Sequence, residues 1–251
     1  MKKHFTIVIA LIIIMFHYVS GYGQKIMKLD NELKANSSPM EAKRKGMSSV
    51  GKYEFGPYRI VSGKAGWTAT TSNKKFLSFE TKSESKKKSS FVFVANSKDT
   101  IQVNTSTNTK VSETEVADWS FLNQSKDNYI AIISPRADTA IWKMVIVFLS
   151  GEAVEGNYQA KGTLSDGVTN IQIREVKQWE DGKVPVMKVI CGYVFYLDDK
   201  PIAAVQSSID SFQKKFVWLH QNLDEKMKQV LAAASASLMV HTDDAMASMD
   251  N

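Results

Sequence analysis

VLAAASASLMV, Val230 to Val240, is eleven residues long, carries no charge and is built mostly of Ala and Ser. It lies near the end of a chain in which 23% of residues are charged. Just upstream, Asn222-Leu223-Asp224-Glu225 has the N-x-x-E form of a capping box, and its two acids suit the positive end of a helix. The pattern predicts a helix over 223–240, about 27 Å long. Its first half is amphipathic, with Lys226, Lys228 and Gln229 polar; its second half is apolar or small all round. A helix without a polar face is buried or in a membrane. Eleven residues are too few for a bilayer, which takes roughly twenty. Burial follows. Ala232, Ala233, Ala234 and Ala236 let surrounding backbone come close, Ser235 and Ser237 return their hydroxyls to carbonyls four residues earlier, and Leu231, Leu238 and Met239 supply bulk. The HTDDAMASMDN that follows is polar and acidic. It is expected to be exposed, with a partly protonated His241 at the helix end and a tail over 246–251.

The rest of the chain supplies the wall around this rod. From Tyr53 onward come short runs rich in β-branched and aromatic residues: YEFGPYRIV, GWTATT, KFLSFET, SFVFVAN, TIQVNT, NYIAIIS, AIWKMVIVFL, VTNIQIREV, PVMKVICGYVFYL, PIAAVQ and KFVWLHQ. In VTNIQIREV, Ile171 and Ile173 share one face and Gln172 and Arg174 the other. Asp181-Gly182 in EDGK is a strong hairpin turn, because both positions tolerate positive φ. Asp198-Asp199-Lys200 is a weaker one. About ten to twelve strands at short spacing predict a mainly β domain, an antiparallel barrel or sandwich with a buried C-terminal α-helix. Two further helices are expected. Ser38-Pro39 with Glu41 starts one in the leader, ending at Gly46, and Ser112 with Glu115 starts another over SETEVADWSFL.

The first residues read as an address. Lys2 and Lys3, the apolar run Phe5–Phe16 and the small residues Ser20, Gly21 and Gly23 make a signal peptide over 1–23. The run is too short to span a bilayer, so no transmembrane helix is expected after cleavage before Gln24. The expected organisation is then a leader over 24–50, one β-rich domain over 51–245, and the tail. The protein is expected to be exported: periplasmic, outer-surface or secreted. Cys191 is the single cysteine. It allows no internal disulfide and reads as a small buried hydrophobe. Charge is uneven. Residues 24–90 hold fifteen Lys/Arg against six Asp/Glu, a net of +9, and residues 91–251 fifteen against twenty, a net of −5.

The stretches GYVFYLDDKPIAAVQ and VWLHQNLDEKMKQVLAAASASLMV, together with KGMSSVGKYEFGPYRI upstream, resemble uncharacterised secreted proteins of Bacteroidetes-type bacteria. The same C-terminal region is similar, more distantly, to tubby-like and scramblase-like domains. The resemblance implies a β-barrel closed around a hydrophobic C-terminal helix. It also implies a class in which some members bind phosphoinositide or phospholipid. It covers about fifty residues and matches no lipid-binding motif, so it assigns no residue a role.

The chemistry-bearing motifs are few. His220 and His241 form no metal pattern, no G-x-S-x-G elbow occurs, and Ser62-Gly63-Lys64-Ala65-Gly66 lacks the spacing of a phosphate loop. No cofactor, metal or catalytic residue is therefore expected. The candidate binding residues are Lys82, Lys86, Lys87 and Lys88, in a basic run that reads as a solvated loop or as a contact for anionic lipid or glycan. With them stands Trp179, which precedes the EDG turn and is expected to project. Aromatic residues do not interleave the lysines, so nucleic acid is not an expected partner. If the rod fills the barrel, recognition happens outside. The leading expectation is a non-enzymatic exported protein that binds an anionic membrane surface, an envelope protein or a glycan. A lipocalin-like carrier with the helix outside the barrel, and a hydrolase with paired carboxylates in one cleft, are the alternatives.

Overall fold

The computed structural model describes residues 24–46, 50–74, 80–96, 99–116, 119–136, 138–150, 158–185, 189–208 and 213–249. Residues 1–23, where the signal peptide is expected, lie outside this set. After a short helix, α1 (Asn31–Ala35), twelve strands follow: β1 Met40–Lys45, β2 Lys52–Phe55, β3 Tyr58–Lys74, β4 Glu80–Ala95, β5 Asp99–Val116, β6 Trp119–Pro135, β7 Trp142–Ser150, β8 Tyr158–Ser165, β9 Asn170–Val176, β10 Gly192–Leu197, β11 Lys200–Gln206 and β12 Lys215–Leu219. Each pairs antiparallel with its sequence neighbour, and β1 pairs with β12, which closes the barrel. The last element is α2, Glu225–Met249.

The rod runs inside the wall, as its composition requires. Leu231, Ala232, Ala233, Ala234, Ala236, Leu238 and Met239 are completely buried. They share one core with inward residues from the strands, among them Phe55, Phe91, Phe93, Ile101, Val103, Ile133, Met144, Ile146, Ile171, Ile173 and Phe195. Ser237 Oγ donates to the Ala234 carbonyl (2.8 Å) and Thr242 Oγ1 to that of Leu238 (3.0 Å). Ser235 Oγ, expected to do the same, is buried without a partner among the described residues. Tyr129 on β6 reaches across to donate to the Ser237 carbonyl at 2.9 Å. No helix among the described residues is long and apolar enough to cross a membrane.

Several expectations are corrected in detail. The helix starts two residues later, because the Asn222 and Leu223 amides are spent on a turn over His220. Asp224 caps instead, accepting from the Met227 amide at 2.7 Å. The helix also runs on to Met249, so His241–Asp244 face barrel wall, not solvent. SSPMEAKRKG is not a helix but holds β1: its six residues close the barrel against β2 and β12, a tertiary gain that overrides a local cap signal. Over SETEVADWSFL, the described residues belong to β5 and β6. Asp181-Gly182 does turn, with the Gly182 amide donating to the Trp179 carbonyl, but within the long β9–β10 connection. The direct hairpin is Asp198-Asp199, where both residues adopt positive φ (50° and 59°), the two-residue turn that matches strand twist.

β10 and β11 are buried on both faces because a second core lies outside them. Met27 and Leu33 of the leader pack with Trp179, Cys191, Val194, Ala204 and Trp218. Gln206, fully buried, anchors this strap: its Oε1 accepts from the Met27 amide (2.8 Å) and its Nε2 donates to the Lys25 and Lys214 carbonyls. At Gly192 a side chain would collide with the Val205 carbonyl and Met27 Sδ. Cys191 is buried, and burial pushes its thiol up to about 12.

β3–β6 outreach the other strands at 16 to 18 residues each. β2 meets β3 only at Glu54–Arg59 and Phe55–Tyr58. Past that seam the four long strands continue as an overhanging sheet, and β3 carries register shifts at Ile60/Ser62 and Ala65/Thr68. If the rod is the core, shaving it should be expensive. Leu231→Ala is expected to lower the unfolding free energy by about 2–5 kcal/mol. Ala233→Leu, by overpacking, is expected to lower it by about 1–3 kcal/mol. Urea denaturation followed by tryptophan fluorescence measures both.

Candidate functional site

The overhang has two chemically distinct faces, and strand alternation decides which residue joins which. On β4, Phe93, Phe91 and Ser89 point inward and are buried, so Lys87, Ser85 and Ser83 share their face while Lys88, Lys86, Glu84 and Lys82 share the other. The run expected as a loop is therefore strand, paired along both edges: Lys82 with Asn73 and Ser112, Lys86 with Ala69 and Asn108. The candidate lysines divide. Lys82, Lys86 and Lys88 are exposed on the outer face, joined by exposed Lys110 on β5 and Lys126 on β6, which sit opposite each other. Glu84 lies among them, 3.4 Å from Lys86 and 4.0 Å from Lys110, and the hydrogen bond from Lys86 holds its carboxyl below the usual range.

Lys87 goes inside. Climbing β3–β6, the inward row changes from apolar to polar: Phe93, Phe91, then Ser89, Lys87, Ser85 on β4; Ile101, Val103, then Thr105, Thr107, Thr109 on β5; Ile133, Ala131, Tyr129, then Asp127 on β6. The change is marked by a buried hydroxyl pair, Ser89 Oγ and Thr105 Oγ1, 2.5 Å apart. Above it a chamber of about 310 Å³ is lined by Thr68, Ser85, Lys87, Thr107, Thr109 and Asp127 from the sheet and by His241, Asp244 and Ala245 from α2. Lys87 Nζ lies 2.8 Å from Asp244. His241 lies against Tyr129 (ring centroids 4.3 Å apart) and Phe148 (4.9 Å). Burial, and then the charge of Lys87, lower its imidazole to about 4, so it is neutral and not the protonated helix end expected. Burial raises the Asp127 carboxyl, against a hydrogen bond from Thr109. Asp127 Oδ1 is buried with no partner among the described residues, a condition that costs on the order of 1–3 kcal/mol if left unmet. Two carboxylates thus line one chamber, but Asp244 is committed to Lys87.

A clasp fixes the same turn of the helix to β2 and β12. Asp243 Oδ2 accepts from Tyr53 Oη (2.7 Å), Asp243 Oδ1 from Lys215 Nζ (2.5 Å), and Lys215 also donates to Tyr53 Oη (2.8 Å). Burial lowers the Lys215 ammonium, opposed by Asp243, and raises the Tyr53 phenol.

Trp179 does not project. It is 2% exposed, held by the bridge to Met27 and the outer core, because the leader, whose position no short-range pattern announces, lies across it. A larger groove of about 840 Å³ runs beside this strap, lined among others by Lys28, Asp30, Glu175, Lys177, Val184 and Tyr196. It is a seam whose polar groups already satisfy one another: Tyr196 Oη donates to Asp30 (2.6 Å) and Lys177 pairs with Glu175 (3.1 Å). The chamber, by contrast, keeps an orphaned acceptor. Among the described residues no group of three or more His, Cys, Asp or Glu is placed to hold a metal.

The fold class is therefore a closed twelve-strand barrel threaded by its own C-terminal helix. No protein-family model, curated protein or solved structure matches the chain.

Two outcomes follow from these charges. The folded His241 titrates near 4 against an ordinary 6.5, so the unfolded state takes up the proton first. Stability should fall as pH drops through that window, by on the order of 2 kcal/mol, with Asp127 opposing as it protonates. Denaturation midpoints between pH 7 and pH 4 measure this, and His241→Phe should flatten the slope. Asp243→Asn, which strands a mostly buried Lys215, should cost roughly 3 kcal/mol, read by thermal melting.

Proposed function

We propose that the chain is a non-enzymatic, exported binding protein that meets an anionic membrane surface with the outer face of β4–β6. The observation that carries this reading is the alternation of β4. It sets Lys82, Lys86 and Lys88 on one outward face, beside Lys110 and Lys126, with Glu84 an acid among them. A stiff sheet presents these charges together, where a loop would scatter them. Each lysine near an acidic lipid surface contributes about 1 kcal/mol. The opposite rim bears seven acids, Asp99, Asp138, Asp166, Asp198, Asp199, Asp224 and Glu225, against Arg136, Lys200 and Lys226, so among the described residues it is the less basic end and the lysine face is the one an acidic surface attracts. The resemblance of the C-terminal region to tubby-like barrels, some of which bind phospholipid, points the same way. A glycan or an acidic envelope protein would use the same lysines.

The interior favours surface recognition over carriage of an apolar ligand. A lipocalin-like carrier needs the helix outside and an open lumen, whereas α2 takes up the apolar half of this lumen. Flotation with vesicles containing about one-third anionic lipid tests the proposal. Association is expected at low salt and should fade in high salt, as screening dictates. The triple substitution of Lys82, Lys86 and Lys88 by Ser should weaken it at least about tenfold, through about 3 kcal/mol of lost attraction. Lys161→Ser, on the wall formed by β8, should leave it unchanged. No association of the unaltered chain at low salt sinks the reading.

A further inference from the structure

The chamber above α2 has features that a mere end of the core does not need. Its lining is hydroxyl-rich, from Thr68, Ser85, Thr107 and Thr109, and its charged groups come from three different elements, β4, β6 and α2. Asp244 and Lys87 neutralise each other at 2.8 Å. Asp127 retains one buried oxygen without a hydrogen bond among the described residues. The space is therefore short of donors and rich in groups that both give and accept.

These groups discriminate between ligand chemistries. A phosphate or carboxylate would meet Asp127 and Asp244. An apolar molecule would offer no hydrogen bond to the buried Asp127 Oδ1 or to the hydroxyls around it, and would displace the water that could. A compact cation would sit beside the Lys87 ammonium. An uncharged polyol suffers none of these penalties, since each of its hydroxyls donates to a carboxylate and accepts from a threonine, serine or lysine. A volume of about 310 Å³ is at the low end for small-molecule sites, the size for roughly one sugar ring.

We infer that the chamber between β3–β6 and the end of α2 is a binding site for a neutral sugar, with Asp127 Oδ1 accepting from its hydroxyls and Thr107, Thr109 and Ser85 completing the polar wall. Burial keeps the Asp127 carboxyl above its usual range, and sugar hydroxyls would supply the donors that solvent supplies elsewhere. Lys87 positions Asp244 and leaves the outer lysines to their own face. The site is independent of the membrane reading: Lys86 and Lys88 point away from it on the same strand.

Saturation-transfer NMR on the full chain tests this with glucose, galactose, mannose and N-acetylglucosamine, each at about 10 mM, a concentration that detects millimolar affinity. Glucose 6-phosphate and glucosamine serve as anionic and cationic counterparts. At least one neutral sugar should bind, and bind about tenfold or more tightly than either charged one. Asp127→Leu should abolish the signal and Thr109→Val should weaken it. Lys86→Ser and Lys88→Ser, which disturb vesicle binding, should leave it intact. Melting curves establish that each variant is folded, and if Asp127→Leu is not, Asp127→Asn replaces it with a weakened signal expected. Silence from all four neutral sugars overturns the inference. So does binding unaffected by the Asp127 and Thr109 variants, or a preference for a charged counterpart.

Discussion

Everything in this molecule depends on filling a barrel. A closed twelve-strand sheet cannot lay its inner face on another sheet, so its inward side chains must meet each other or a plug. Here the plug is α2, and its alanines and serines set how near the wall comes. Bulkier residues would demand a wider ring; smaller ones would leave voids that water cannot fill favourably. Tyr129 and Asp243 then fix the plug's height in the barrel through hydrogen bonds between wall and helix at two levels.

Because the apolar part of the plug ends near Val240 while the long strands continue, the lumen has two regimes. Below, Phe, Ile and Leu pack against Ala. Above, threonine, serine, lysine and aspartate face polar turns of the same helix. The sequence alone displays this switch along β4, from SFVFVA to KSESKKK. One strand thus contributes to core, chamber and outer surface at once, by alternation and by height.

The barrel and its rod were legible because periodicity and local composition carry them. VLAAASASLMV has no polar face, and the strands announce themselves by β-branched and aromatic runs. What was not legible depended on distant partners. Met40–Lys45 carries a helix-start signal, yet the ring needs a strand there between β2 and β12. Trp179 stands beside a turn and looks exposed until the leader is laid over it. The lysine run looked like a loop because charge density is read before alternation; counting from buried Phe91 and Phe93 would have put Lys87 inside. The chamber needed Asp127 and His241, which are 114 positions apart in the chain and carry no shared motif.

The scant joint between β2 and β3 leaves the upper margin of β3 without a strand partner among the described residues. Such a margin, with its row of open amides and carbonyls, invites other chains to add themselves and spread into fibrils. The two register shifts at Ile60/Ser62 and Ala65/Thr68, with Lys64 between them, break the regular spacing that a visiting strand would need. The same irregularities thus make this margin a poor template for an added strand.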